Sequence, residues 1–199
     1  REIHKHLSTH TKLAIMATAI LVLLGTAVFL VSEKWDQSFS SFDKVMVSLF
    51  QAVSAQTTDG FNSVDIGKVS FCGLFMLMIL MFIGASPGST GGGIKTTTAG
   101  VLYLSSKTYL LGRPDINFQY RKISEEAVKK AVTILVVFLG VCAFDMIVMS
   151  LVEKFSFERI LFEIISALGN VGLSTGITSG LSGLSKILLI ITMFIGRVG

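Results

Sequence analysis

Leu49-Phe50-Gln51-Ala52-Val53-Ser54-Ala55 returns 112 residues later as Leu161-Phe162-Glu163-Ile164-Ile165-Ser166-Ala167. The same offset carries Gly60 onto Gly172, and Met81-Phe82-Ile83-Gly84 onto Met193-Phe194-Ile195-Gly196. Three separate blocks in one register, without a gap, mark an internal repeat, and a repeat constrains the architecture before any residue-level reading.

Working outward, each copy has the same parts. A long apolar segment comes first, Lys12 to Val31 and then Lys130 to Val152. A stretch too short to span follows, Phe42 to Gln56 and Phe157 to Leu168, long enough for a helix of about 3 turns. Next come small-residue segments with poor helix propensity, Thr57 to Ser63 and Gly169 to Thr175. A second apolar segment then returns, Val69 to Gly84 and Leu184 to Gly196. The expectation is an all-α integral membrane fold of repeated units: span, re-entrant pore helix, filter loop, span. The first unit takes residues 1–111. Residues 112–199 hold a cytoplasmic linker and the second unit, cut short in its last span. The chain opens on Arg1 and stops just after Ile187 to Ile195, so it reads as a fragment.

Composition agrees. Of 199 residues, 51% are hydrophobic and 15% charged, with mean hydropathy +0.73. Soluble domains carry roughly 25% charged residues. Leu13 to Val31 runs nineteen residues without a charge and Val69 to Ile94 twenty-six, against the roughly 20 that a helix needs to cross a bilayer. The net charge of +4 is concentrated in Arg1 to Lys12 and Lys107 to Lys130. Basic loops stay cytoplasmic, so a span that exits and one that returns place both clusters inside and both short loops outside. No aromatic-rich basic surface accompanies them, which argues against nucleic acid. Cys72 and Cys142 sit in apolar segments with no metal or disulfide spacing, and are expected as small buried hydrophobes. His4, His6 and His10 belong to a solvated basic arm.

Non-helical backbone at membrane depth is tolerated only where it is buried in protein or lines a watery cavity. Carbonyls turned toward a common axis replace a cation's hydration shell, and turning them requires a residue that accepts positive φ, which is glycine. Gly60 and Gly172 stand where that requirement falls. The short helices would aim their partially negative C-terminal ends at the same place. Gln51 and Glu163, at matched positions, are expected to hold the loops from behind. Pro87 and the glycines after it should interrupt the second span. The spacing of Gly88, Gly93 and Lys95 does not make a phosphate-binding loop, because Ile94 intervenes and no strand precedes it. Asp145 is expected as a hydrogen-bonding side chain in its span, with a proton relay as the alternative. No nucleophile–base pair points to an intramembrane enzyme, and no covalently bound cofactor is expected.

The strings Ala55-Gln56-Thr57-Thr58-Asp59-Gly60-Phe61-Asn62, Gly84-Ala85-Ser86-Pro87-Gly88-Ser89-Thr90-Gly91-Gly92-Gly93-Ile94-Lys95, Gly169-Asn170-Val171-Gly172-Leu173 and Gly196-Arg197-Val198-Gly199 resemble the Trk/Ktr/HKT superfamily of potassium transporters. The similarity is greatest to its Ktr-type (KtrB/TrkH-like) membrane subunit. The resemblance implies four repeats around a pseudo-four-fold pore, of which this chain is similar to the third and fourth. It implies ion-binding filter segments at Thr57, Thr58, Asp59, Gly60 and Phe61 and at Asn170, Val171, Gly172 and Leu173, with potassium at their carbonyls. It further implies a gate formed by Gly88, Ser89, Thr90, Gly91, Gly92, Gly93 and Lys95 with Arg197. The activity so implied is potassium uptake across a multi-pass, bacterial plasma membrane, with sodium as a candidate coupling ion. The partners so implied are the N-terminal half of the same subunit, a second copy, membrane lipid, and a cytosolic nucleotide-binding regulatory ring (KtrA/TrkA-like). The basic segments are candidate docking surfaces for that ring. Two other readings stand beside it: a subunit of a two-span-repeat potassium channel, and a non-transporting assembly subunit.

Overall fold

The computed structural model describes residues 9–89, 91–112, 116–118 and 121–198. His4, His6, Thr90, Arg113 and Gly199, with the side chains of His10 and Arg121, lie outside what is described. Seven α-helices are described: α1 (Thr9–Ser32), α2 (Ser41–Thr57), α3 (Phe71–Phe82), α4 (Thr96–Leu110), α5 (Glu125–Val152), α6 (Phe157–Gly169) and α7 (Gly183–Val198). Between α4 and α5, Asn117–Phe118 (β1) pairs antiparallel with Arg121–Lys122 (β2), a small hairpin that the all-α expectation did not contain.

The helix starts follow local chemistry. Ser40 caps α2 in a capping box with Asp43, Ser70 caps α3 through the Gly73 N–H, and Ser124 caps α5 ahead of Glu125 and Glu126. Such side-chain oxygens satisfy the N–H groups that the first turn leaves unpaired. Both short helices, α2 and α6, end in a left-handed, non-glycine residue: Thr58 (φ 62°) after α2 and Asn170 (φ 52°) after α6. These positions are equivalent under the repeat offset.

Within each repeat the span, short helix and second span pack on one another: α1 with α2 and α3, and α5 with α6 and α7. The repeats join through α3 against α6 and α4 against α5. One apolar core crosses that junction, with Phe29, Ala52, Leu77, Leu80 and Met81 from the first repeat and Phe162, Ile165, Val171 and Leu173 from the second. A second core, Met149, Ile160, Ile164, Ala167 and Leu189, lies within the second repeat.

Two described helices, α1 and α5, are long and apolar enough to cross a membrane, and both are mostly uncovered. The core helix of a soluble protein is mostly buried. Here Leu23, Val31, Ile147 and Leu151 point outward, as on a face that meets a membrane or a partner. Cys72 is exposed on α3, contrary to the expectation of burial, because its side of the helix faces away from the core. Asp145 is buried on α5 and receives the Thr192 hydroxyl of α7 at 2.5 Å.

The second span of the first repeat departs from expectation. Rather than running to Gly84, α3 ends at Phe82 after 12 residues, about 18 Å of helix and too short to cross alone. Its partner α7 continues through Gly196 to Val198. The repeat offset holds, but the backbone diverges from Ile83 onward.

Candidate functional site

The break after Phe82 has a cause in the side chains. Gln56, at the end of α2 and almost fully buried, donates its amide to the carbonyls of Ile83 (2.9 Å) and Gly84 (3.1 Å). Those carbonyls have left the helix and would otherwise be buried without a donor, which is costly. The residue at the matched position in the second repeat is Leu168, which has no donor, and there the helix runs on. The Gln/Leu difference is a signal present in the sequence repeat.

The two small-residue loops meet. Gly60 (φ +76°) and Gly172 (φ +95°) both occupy the left-handed region. A Cβ built on Gly60 would fall 2.1 Å from the Val171 carbonyl oxygen and 3.4 Å from the Gly172 Cα. Each loop leaves its helix by the same hydrogen bond: the Asp59 N–H donates to the Ser54 carbonyl (3.1 Å), and the Val171 N–H to the Ser166 carbonyl (2.9 Å).

The other expected filter residues take definite places. Asp59 is exposed, with one carboxylate oxygen 2.7 Å from the Thr57 hydroxyl, so it neither packs behind the loop nor pairs with a cation among the described residues. Phe61 exposes its ring, while its carbonyl accepts the Ser54 hydroxyl at 2.5 Å and is thereby drawn back toward α2. Val171 and Leu173 bury their side chains in the junction core.

Behind each loop stand Gln51 and Glu163. Gln51 Oε1 accepts the Ser63 N–H at 3.3 Å. Glu163 accepts the matched Thr175 N–H at 2.9 Å, together with the hydroxyls of Ser174 (2.8 Å), Thr175 (3.1 Å) and Thr178 (2.7 Å). The expected bracing from behind is present in both repeats.

A second pair of matched contacts gave no sequence signal. Glu33, one residue beyond α1, accepts the backbone N–H (3.1 Å) and hydroxyl (2.7 Å) of Ser70 at the start of α3. Glu153, one residue beyond α5, accepts the Ser182 N–H (2.9 Å) and the Ser185 hydroxyl (2.6 Å) at the start of α7. The two acids are not at the 112-residue offset, because the connection from span to short helix differs in length. A fixed-register comparison therefore passes over them.

The glycine-rich segment lies against both loops. Gly91 adjoins the Thr58 side chain and Gly92 adjoins Gly169 and Asn170. Gly84 packs so closely on Gly92 that a Cβ there would meet its carbonyl oxygen at 2.3 Å. Ser89 donates its N–H to the Ser86 carbonyl (3.2 Å). Gly88 is exposed and Gly93 buried. Ser86 also joins hydroxyl contacts to Thr18 on α1 (3.1 Å) and Thr96 on α4 (3.0 Å). Lys95 donates to the Gly91 carbonyl. Arg197 is exposed in the last turn of α7. No group of side chains with metal-ligand chemistry occurs among the described residues.

The TrkH family, described as a cation transport protein, matches residues 8–199. The chain is 36% identical over 197 residues to the Ktr system potassium uptake protein B of Vibrio alginolyticus, covering 97% of this chain and 43% of that one. It is 35% identical over 201 residues to the potassium/sodium uptake protein NtpJ of Enterococcus hirae, covering 98% and 45%. It is 35% identical over 199 residues to the Ktr system potassium uptake protein B of Bacillus subtilis, covering 98% and 44%. It therefore spans less than half the length of these relatives, each of which is named as a transporter and not as an enzyme. The crystal structure of the potassium transporter TrkH from Vibrio parahaemolyticus superposes with a TM-score of 0.77 at 22% identity, covering 96% of this chain and 42% of that one, a likeness of fold. By sequence over almost its whole length, and by fold, the chain belongs to the TrkH family of cation transport proteins.

Proposed function

We propose that this chain supplies two of the repeats of a potassium-uptake subunit, and that Thr57–Phe61 and Asn170–Leu173 are two segments of its selectivity filter. The observation that carries the reading is the contact between Gly60 and Gly172, both at positive φ and both at the end of a re-entrant helix. Backbone oxygens held there replace water around the ion, and the helix C-termini favour positive charge. The names of the relatives support potassium as the ion, and that of NtpJ adds sodium as a candidate second ion. Two repeats leave such a ring open, so the N-terminal half of the subunit completes the pseudo-four-fold pore.

The glycine-rich segment with Lys95 and Arg197 acts as the gate. Two like charges beside the filter exit oppose a cation's passage until the segment moves. The subunit sits in the plasma membrane, pairs with a second copy and docks a cytosolic regulatory ring on its basic segments.

Complementation tests the proposal. The full-length subunit should restore growth of potassium-uptake-deficient cells at limiting potassium, and Gly60→Ser should abolish the rescue while leaving the protein in the membrane. Full rescue by Gly60→Ser would remove this glycine from the permeation path.

A further inference from the structure

The brace behind the second loop differs in chemistry from the brace behind the first. Glu163 is buried, and its two oxygens accept four donors, one backbone N–H and three hydroxyls. The Thr175 N–H can only donate to it, while the Ser174 and Thr178 hydroxyls also stand 2.8 Å from each other and share their hydrogens between that contact and the carboxyl. No ion pair involves it among the described residues. Glu163 also lines, with Asn170, Val171, Gly172 and Leu173, one cavity of about 250 Å³. An acidic side chain therefore stands beside the expected ion path, with N–H and hydroxyl dipoles around it and no basic side chain paired with it among the described residues.

The first repeat supplies the neutral control. Gln51 fills the same place on α2, fully buried, and its Oε1 holds the loop by the matched N–H of Ser63. Its Nε2 has no partner, and where Thr178 reaches Glu163 the first repeat has the apolar Ile66. A neutral amide thus suffices to hold such a loop, and bracing alone does not require the charge of Glu163.

We infer that Glu163 is a specificity-determining residue whose fixed charge raises the affinity of the second filter segment for the permeating monovalent cation, while Gln51 leaves the first segment weaker. This deepens the potassium-uptake reading and rests on it. In a partly desolvated site, a unit charge acts on an ion several ångströms away far more strongly than in bulk water. It lowers the energy of the bound cation without contacting it.

The test is rubidium uptake by the full-length subunit in potassium-uptake-deficient cells, with membrane abundance measured alongside. Glu163→Gln copies the chemistry of the first repeat and should raise the half-saturating rubidium concentration by about 4- to 10-fold, with the maximal rate kept. Gln51→Glu should lower it, and Gln51→Glu combined with Glu163→Gln should return it toward the wild-type value. An unchanged half-saturation in Glu163→Gln, or a fall in maximal rate alone, overturns the inference and leaves Glu163 a brace. Where Glu163→Gln does not reach the membrane, Gln51→Glu decides, and an unchanged half-saturation there overturns the inference equally. A wild-type subunit that moves no rubidium overturns the permeation reading itself, and this one with it.

Discussion

Glu33 takes both the backbone N–H and the hydroxyl of Ser70, fastening the end of α1 to the start of α3 across 37 residues. Glu153 does the same for α7 through Ser182 and Ser185. Each clasp ties the end of the long helix of a repeat to the start of its last helix, and hence fixes the frame around the short helix between them.

The clasp of the second repeat has a defined pH dependence. The Glu153 carboxyl is held below its ordinary range, first by the Ser185 hydroxyl and then by the Ser182 N–H and hydroxyl. A depressed folded-state value means that the stabilisation is complete above the unfolded-state value of about 4.3 and is lost as pH falls through the folded one. Thermal unfolding in detergent should show wild type more stable than Glu153→Gln near neutral pH. That advantage should begin to shrink below about pH 4.3 and be gone once the pH is below the depressed folded-state value. An advantage that persists in acid would assign the effect to another group.

Gly60→Ala and Gly172→Ala should differ. At Gly60 a Cβ meets the Val171 carbonyl oxygen and the φ is left-handed, so both packing and backbone oppose it. At Gly172 the nearest atom to a Cβ is 4.0 Å away, and only backbone strain of about 1–2 kcal/mol remains. Rubidium uptake should be lost in the first and reduced in the second. Equal effects would indicate that the two loops are not joined as described.

Gln56→Leu installs the residue of the second repeat. It strips the Ile83 and Gly84 carbonyls of their donor, with an expected destabilisation of about 1–3 kcal/mol. Chemical unfolding of the purified full-length protein measures this. Leu168→Gln, lacking freed carbonyls to bind, should not rescue the double variant.

Asp145→Ala should destabilise more than Asp145→Asn. Asparagine keeps an acceptor for the Thr192 hydroxyl, whereas alanine leaves that buried hydroxyl only its Leu188 carbonyl contact. The difference should be about 1 kcal/mol, read as the separation of the two melting midpoints. Loss of uptake in Asp145→Asn with normal stability would instead favour a proton relay.

Thr18→Val removes the α1 hydroxyl beside Ser86. If the glycine-rich segment gates permeation, loosening its root should raise basal rubidium flux without altering half-saturation. An unchanged basal flux would make the segment a static connector.

The linear sequence sufficed for the repeat, the apolar spans, the two short helices and the glycines at their ends. These are local properties: a span is a length of uninterrupted apolar chain, and a turn at positive φ favours glycine, as at Gly60 and Gly172. It also carried the matched braces Gln51 and Glu163, because one offset links them. Tertiary structure alone decided that Gly60 and Gly172 touch, that the freed carbonyls after Phe82 meet the Gln56 amide, and that Glu33 and Glu153 clasp the helix starts. Each of these depends on a donor meeting an acceptor, or a backbone meeting a backbone, across 27 or more residues. Hydrogen bonds act over about 3 Å, so such pairs exist only once the helices have packed.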